Sequence, residues 1–256
     1  MTVAPVGIRC PDHSGRTTSP VRLAQRRRTA VRRPTLDLHG PIVTKVLVAG
    51  MILVYLAQLG GGAGVNADSG WIFEQGALYG PLVADGDWWR LITAAFLHYG
   101  VLHIAMNMLA LWWLGAPVEF VLGRVRFVLL FLVSGLAGSA GSLLLEPNAV
   151  TVGASGAIFG MLGAGLILEW RATGSLAGNY LTLIVVNLAF TFAFPGVSIG
   201  GHLGGLAGGV LGVLALSRLG RAHPAYDRLG LIGIGSVVGL GILSIAVAYW
   251  KVSGLA

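Results

Sequence analysis

Seven runs of apolar residues, at roughly 43–60, 98–118, 127–145, 155–168, 180–194, 201–217 and 230–250, are separated by short segments that hold the charge. None shows the alternation of a barrel strand, so the pattern predicts membrane-crossing helices. Several runs fall short of the twenty or so residues that a span usually needs. The fourth is the most informative. From Gly156 to Leu168 it reads GAIFGMLGAGLIL before Glu169, Trp170 and Arg171 mark a membrane surface. At 1.5 Å per residue such a helix covers roughly 20 Å of a hydrocarbon layer about 30 Å thick. With Arg171 at one face, Ser155 begins its helix well below the other. A submerged hydroxyl flanked by Gly153 and Gly156, which let other backbone come close, points to buried chemistry. His202 also opens an apolar helix and is its natural partner.

Composition agrees with this fold class, an all-α polytopic membrane helix bundle: charged residues are 11% of the chain, and mean hydropathy is strongly positive. Charge placement gives orientation. Nine Lys or Arg lie in the first 45 residues, including Arg26-Arg27-Arg28 and Arg32-Arg33, against Asp12 and Asp37. With that tail in the cytoplasm, the inner loops receive Arg124, Arg126, Arg171, Arg218, Arg221 and Arg228, and only Arg90 and Lys251 fall outside. The positive-inside rule is satisfied by an odd number of spans with the C-terminus outside. The net charge of +7 is then a topology signal, and the basic arm suits anionic lipid rather than nucleic acid.

Three segments follow: a basic, disordered cytoplasmic tail over 1–41, a core over 42–218, and an inner loop with a C-terminal seventh helix over 219–256. The tail is rich in Arg, Pro, Ser and Thr with little to bury, and has no apolar stretch of signal-peptide type before residue 42. Cys10, the single cysteine, lies in it, so no intrachain disulfide is expected; no metal site or cofactor is indicated either. The loop at 61–97 mixes Trp71, Phe73, Tyr79, Trp88, Trp89 and Phe96 with Asp68, Glu74, Asp85 and Asp87. It is expected to lie partly in the outer leaflet, with Arg90 anchoring it through loop backbone or Asp87.

His98, His103 and Asn107 stand at the outer end of the second run, with His103 and Asn107 four apart on one helix face. Alone, Asn107 reads as interhelical glue. Beside Ser155 and His202, the set supplies a nucleophile, a base and two side-chain donors, the parts of an acyl-transfer site. His202 stands in a glycine-rich segment: Gly201, Gly205 and Gly209 form one stripe, Gly204 and Gly208 another, and Gly156, Gly160 and Ala164 a third on the fourth helix. Such stripes pack helices closely and would bring His202 within reach of Ser155; they serve self-association equally well, which leaves oligomeric state open. No carboxylate lies deep in an apolar run, so a Ser-His dyad is expected rather than a triad. Phe159, one turn beyond Ser155, is either a stacking partner for the imidazole or ordinary core.

Taken together, Trp89-Arg90, His98-x4-His103-x3-Asn107, Gly115-x3-Glu119, Gly153-x-Ser155-Gly156 and Gly201-His202 resemble, in order, the rhomboid intramembrane serine proteases. The resemblance spans roughly residues 71–209 and implies a six-helix core, here followed by a seventh helix at the C-terminus. It implies Ser155 as nucleophile and His202 as general base, and an oxyanion hole of His103, Asn107 and the Ser155 backbone N–H. Many members carry Tyr where this chain has Phe159, so stacking survives and a phenol hydrogen bond does not. The partners implied are the lipid bilayer and single-span or polytopic membrane-protein substrates, cleaved near the outer face beside small side chains. The stretch Phe192-Ala193-Phe194-Pro195-Gly196 reads as a lateral gate or as a plain helix end. Two other readings stand beside the protease: a non-catalytic rhomboid-like binder of client helices, and a transporter, against which the absence of an internal repeat counts. The Ala, Gly and Arg richness suggests a bacterial chain of the cell membrane.

Overall fold

A computed structural model describes residues 2–4, 7–9, 40–61, 64, 66–218 and 227–255. Thr2–Ala4 and Gly7–Arg9 pair as a short antiparallel ribbon, with Val3 opposite Ile8, where the composition led us to expect no regular structure; the rest of the tail, with Cys10, lies outside the described residues. From residue 40 onward the protein is a multi-pass membrane bundle with seven helices of fifteen or more residues among the described residues. They are α1 Ile42–Gly60, α2 Gly100–Leu122, α3 Arg124–Leu145, α4 Ser155–Thr173, α5 Asn179–Ala193, α6 Ile199–Arg218 and α7 Asp227–Val252. Five are long and apolar enough to cross a membrane; α5 is a shorter apolar helix. The fourth helix extends past its apolar run through Glu169 and Arg171 and ends at Gly174, whose φ of 77° suits a glycine C-cap.

The helix ends run further than hydropathy predicts because tertiary partners satisfy their polar residues. Glu119, in the last turn of α2, is buried. It accepts from the Val43 N–H (2.9 Å), the Thr44 N–H (2.8 Å) and the Thr44 hydroxyl (2.8 Å). Its carboxylate thus caps α1, whose first amides have no helical partner. Glu169 does the same for α5, taking the Asn179 and Tyr180 N–H groups at 3.2 and 3.1 Å.

At the centre, α6 packs between α3 and α4. Gly204 backs onto Ala137 O of α3, whereas Gly205 and Gly209 back onto Gly156 O and Gly160 O of α4; a methyl group on any of the three would overlap those carbonyls. One glycine-rich helix thereby seats two neighbours at backbone contact. The α7 helix packs against α3 and α6, and Ala248 and Val252 close a cluster with Leu78, Val83, Leu143 and Ala140.

The loop before α2 holds three short helical turns, Trp71–Gly76, Gly80–Ala84 and Arg90–Thr93, then a 3-10 turn at Ala94–Phe96. It is tied to the α3–α4 connection by paired backbone bonds between Leu78 and Thr151 (3.0 and 2.9 Å), and by the Gly80 N–H to Pro147 O (2.9 Å). That fastening fixes the approach to Ser155.

Candidate active site

The Leu78–Thr151 bridge leads directly into the turn that carries Ser155. The Gly153 N–H donates to Ala94 O at 2.9 Å, and Gly153 sits at φ 119°, a region that strains any residue with a side chain. A Cβ there would lie 2.7 and 2.8 Å from Cε1 and Nε2 of the His103 ring. Glycine is therefore what lets His103 come up against the turn. Ser155 follows as the first residue of α4. The bond from the Ile158 N–H to Ala154 O (3.0 Å) is made just beyond it, so the Ser155 N–H lies in the open first turn, at the positive end of the helix dipole.

His103 belongs to the first turn of α2. Its Nδ1 accepts the Tyr99 N–H at 3.2 Å, so a neutral ring carries its hydrogen on Nε2, the atom nearest Gly153. Asn107 lies one turn deeper and is buried. Its amide nitrogen donates to the His103 carbonyl at 2.9 Å, which leaves a second N–H on that nitrogen.

His202 is buried in the first turn of α6. Its backbone N–H donates to Ser198 O at 3.1 Å. Its ring stacks on Phe159, with centroids 4.0 Å apart and planes 17° from parallel. Nδ1 lies 2.7 Å from the Thr191 hydroxyl of α5. The helices bearing Ser155 and His202 meet at their glycines: a Cβ on Gly156 would sit 3.3 Å from Gly201 O. Among the described residues no hydrogen bond joins the Ser155 hydroxyl to the His202 ring; such bonds are often long in substrate-free sites and tighten with substrate.

Ser155 also faces a cavity of about 30 Å³, lined on other sides by Ser139, Ser142, Thr151 and Ser198. The hydroxyls of Ser142 and Thr151 are 2.9 Å apart, and Ser198 donates to Ser142 at 3.1 Å. These hydroxyls share the wall with apolar residues such as Leu78, Ala94 and Ala157, and the space is sufficient for a water with hydroxyl partners.

Trp89 and Arg90 lie elsewhere, in the loop. Buried Arg90 donates to Asp87 (2.8 Å) and to the carbonyls of Glu74 (2.7 Å) and Ala77 (2.9 Å). The Trp89 indole donates to Gln75 O at 3.0 Å. These contacts hold the loop turns together and touch neither Ser155 nor His202. Sequence reasoning passed over Thr191 and the hydroxyl-lined cavity. A threonine in an apolar helix carries little signal, because its hydroxyl usually bonds the carbonyl one turn back, as Thr191 does with Asn187 O.

The family model for the Rhomboid domain matches residues 85–219, more than half of the chain. Rhomboid protease GluP of Bacillus subtilis (strain 168) is 39% identical over 181 residues, 69% of this chain and 35% of GluP. RHOMBOID-like protein 5 of Arabidopsis thaliana is 41% identical over 162 residues, 59% of this chain and 52% of that protein. Putative rhomboid protease YdcA of Bacillus subtilis (strain 168) is 37% identical over 134 residues, 50% of this chain and 67% of YdcA. The chain thus spans about a third of GluP and about half of RHOMBOID-like protein 5.

Proposed function

The chain belongs to the rhomboid family, and on that premise we propose that it is an intramembrane serine endopeptidase. The observation that carries the reading is the meeting of α4 and α6 at Gly156, Gly201 and Gly205, which sets the turn holding Ser155 against the turn holding His202. GluP and YdcA, to which the chain is similar, are both named as proteases, in agreement with it.

Ser155 Oγ attacks a peptide carbonyl of a partly unwound transmembrane segment while His202 takes its proton. The oxyanion meets the Ser155 N–H at the start of α4, the Nε2–H of His103 and the remaining N–H of Asn107. A single such donor contributes roughly 3 kcal/mol to the transition state in soluble serine proteases. His202 then protonates the leaving amine, and water from the cavity beside Ser155 releases the acyl group. The narrow space beside Ser155 favours a small side chain at the cleaved bond. Substrate enters between α5 and the rest of the bundle, and the site opens to the extracytoplasmic face.

The test is cleavage of a single-span substrate, with a small residue near its outer end, by purified protein in liposomes. Wild type cleaves; Ser155→Ala and His202→Ala lose at least about a thousandfold in rate. Equal cleavage by Ser155→Ala would refute the nucleophile. Folded wild type that binds the segment without cutting it would favour a client binder.

A further inference from the structure

The α5 helix is the loosest of the core, and Thr191 is what it sends inward. Of its fifteen residues only Ile184 and Thr191 are buried, while Val185, Val186, Phe190 and Phe192 are exposed. Thr191 Oγ1 lies 2.7 Å from Asn187 O, one turn back in α5, and 2.7 Å from Nδ1 of His202 in α6. A hydroxyl has one hydrogen. The Asn187 carbonyl can only accept, and with the hydroxyl hydrogen turned to it, the usual back-bond of a helical threonine, Thr191 meets His202 as an acceptor. Nδ1 of His202 then bears the ring hydrogen and Nε2 keeps the lone pair. The reverse arrangement, with Thr191 donating to Nδ1, would put the hydrogen on Nε2 and leave no base for a serine.

We propose that Thr191 is a positioning residue for His202, fixing the tautomer in which Nε2 accepts a proton and making that state depend on the seating of α5. It occupies the place of the third group that orients a catalytic histidine, where many serine hydrolases use a carboxylate. A neutral hydroxyl suits a buried intramembrane site, where a carboxylate would be costly to desolvate. Phe159 holds one face of the ring and Thr191 its Nδ1 edge, so two helices share the orientation.

The attachment of α5 gives this bond a second consequence. At its start α5 is fastened to α4 by Glu169, which takes the Asn179 and Tyr180 amides, and Ile184 packs with Phe159 and Leu162 midway. At its far end, among the described residues, the Thr191–His202 bond is the polar link to α6. An outward swing of α5 about its Glu169 end breaks that link first. The base is thus competent only when α5 is seated, and a segment that parts α5 from α6 must let it return before the serine is activated. This consequence rests on the protease reading; the tautomer does not.

The experiment is nitrogen NMR of full-length protein with 15N-labelled histidine in detergent micelles, the His202 signals being assigned by their loss in His202→Gln. Fluorophosphonate labelling rates are measured on the same samples. Wild type shows His202 with hydrogen on Nδ1. Thr191→Val, which keeps the shape and removes the hydroxyl, shifts it towards the Nε2–H form and slows labelling by about ten- to a hundredfold; Thr191→Ser restores both. Thermal unfolding of each variant confirms a folded chain. An Nε2–H ring in wild type, or a Thr191→Val protein matching wild type in tautomer and labelling, overturns the inference. A tautomer that responds to Thr191→Val while no variant reacts with the probe upholds the positioning role and refutes the protease reading instead.

Discussion

His103 and His202 each have a partner at Nδ1, but of opposite character. The Tyr99 amide donates to the first, leaving a donor on Nε2; the second faces a threonine hydroxyl committed to its own helix carbonyl, leaving an acceptor. One ring suits an oxyanion and the other a proton. Gly153 is what brings the first of them in. Gly153→Ala adds a methyl group against the His103 ring at a sparsely populated backbone angle that costs about 1–3 kcal/mol on its own, so activity should fall by at least tenfold while the helical spectrum is kept. Normal turnover in Gly153→Ala would argue against that placement of His103. His98 behaves differently. It is fully buried just before α2, and burial, helped by the neighbouring His103, pushes its pKa down to about 3. Its folded form stays neutral while the unfolded chain takes up a proton below the ordinary value near 6.5. Stability is therefore intact above that value and falls as pH drops from 6.5 towards 3, by up to about 1.4 kcal/mol per unit. Thermal unfolding in detergent at pH 7 and pH 5 checks this: His98→Gln should show a shallower loss than wild type, and an equal loss would contradict it.

At the level of elements, the α4–α6 contact carries both packing and chemistry. Gly205→Ala forces a methyl group into Gly156 O and should cost about 1–3 kcal/mol together with activity. Gly239→Ala in α7, which meets nothing within 4 Å, should be within about 0.5 kcal/mol of wild type. Equal melting temperatures for the two variants would remove the argument. The glycine stripes were legible in the sequence because helical spacing alone puts Gly205 and Gly209 on one face. The matching stripe of Gly156 and Gly160 also pointed to α4 as its neighbour, as the structure has it, whereas nothing in the spacing showed that Gly204 meets Ala137 of α3. Nor could hydropathy place the ends of α2 and α4, because Glu119 and Glu169 belong to those helices only by virtue of the amides of α1 and α5 that they cap. Thr191 was hidden for a related reason. Its bond to Asn187 is local, whereas its bond to His202 exists only through the way α5 meets α6.

For the whole molecule, the seven apolar runs correspond to seven helices among the described residues, five of them long and apolar enough to cross a membrane, since a segment within a bilayer must satisfy its own backbone. Orientation is expected from charge alone. Ser69, exposed in the loop before α2, should face the outside, so Ser69→Cys on a Cys10→Ser background should react with a membrane-impermeant maleimide added to intact cells. Labelling only after the cells are opened would reverse the topology and place the site on the cytoplasmic side. The central claim is that Ser155 is the activated nucleophile of this bundle. It is tested most directly by locating a fluorophosphonate adduct with peptide mass spectrometry. A phosphonylated Ser155 in wild type, and none in His202→Ala, is the predicted result. An adduct on another residue, or one on Ser155 that forms equally fast without His202, would contradict it.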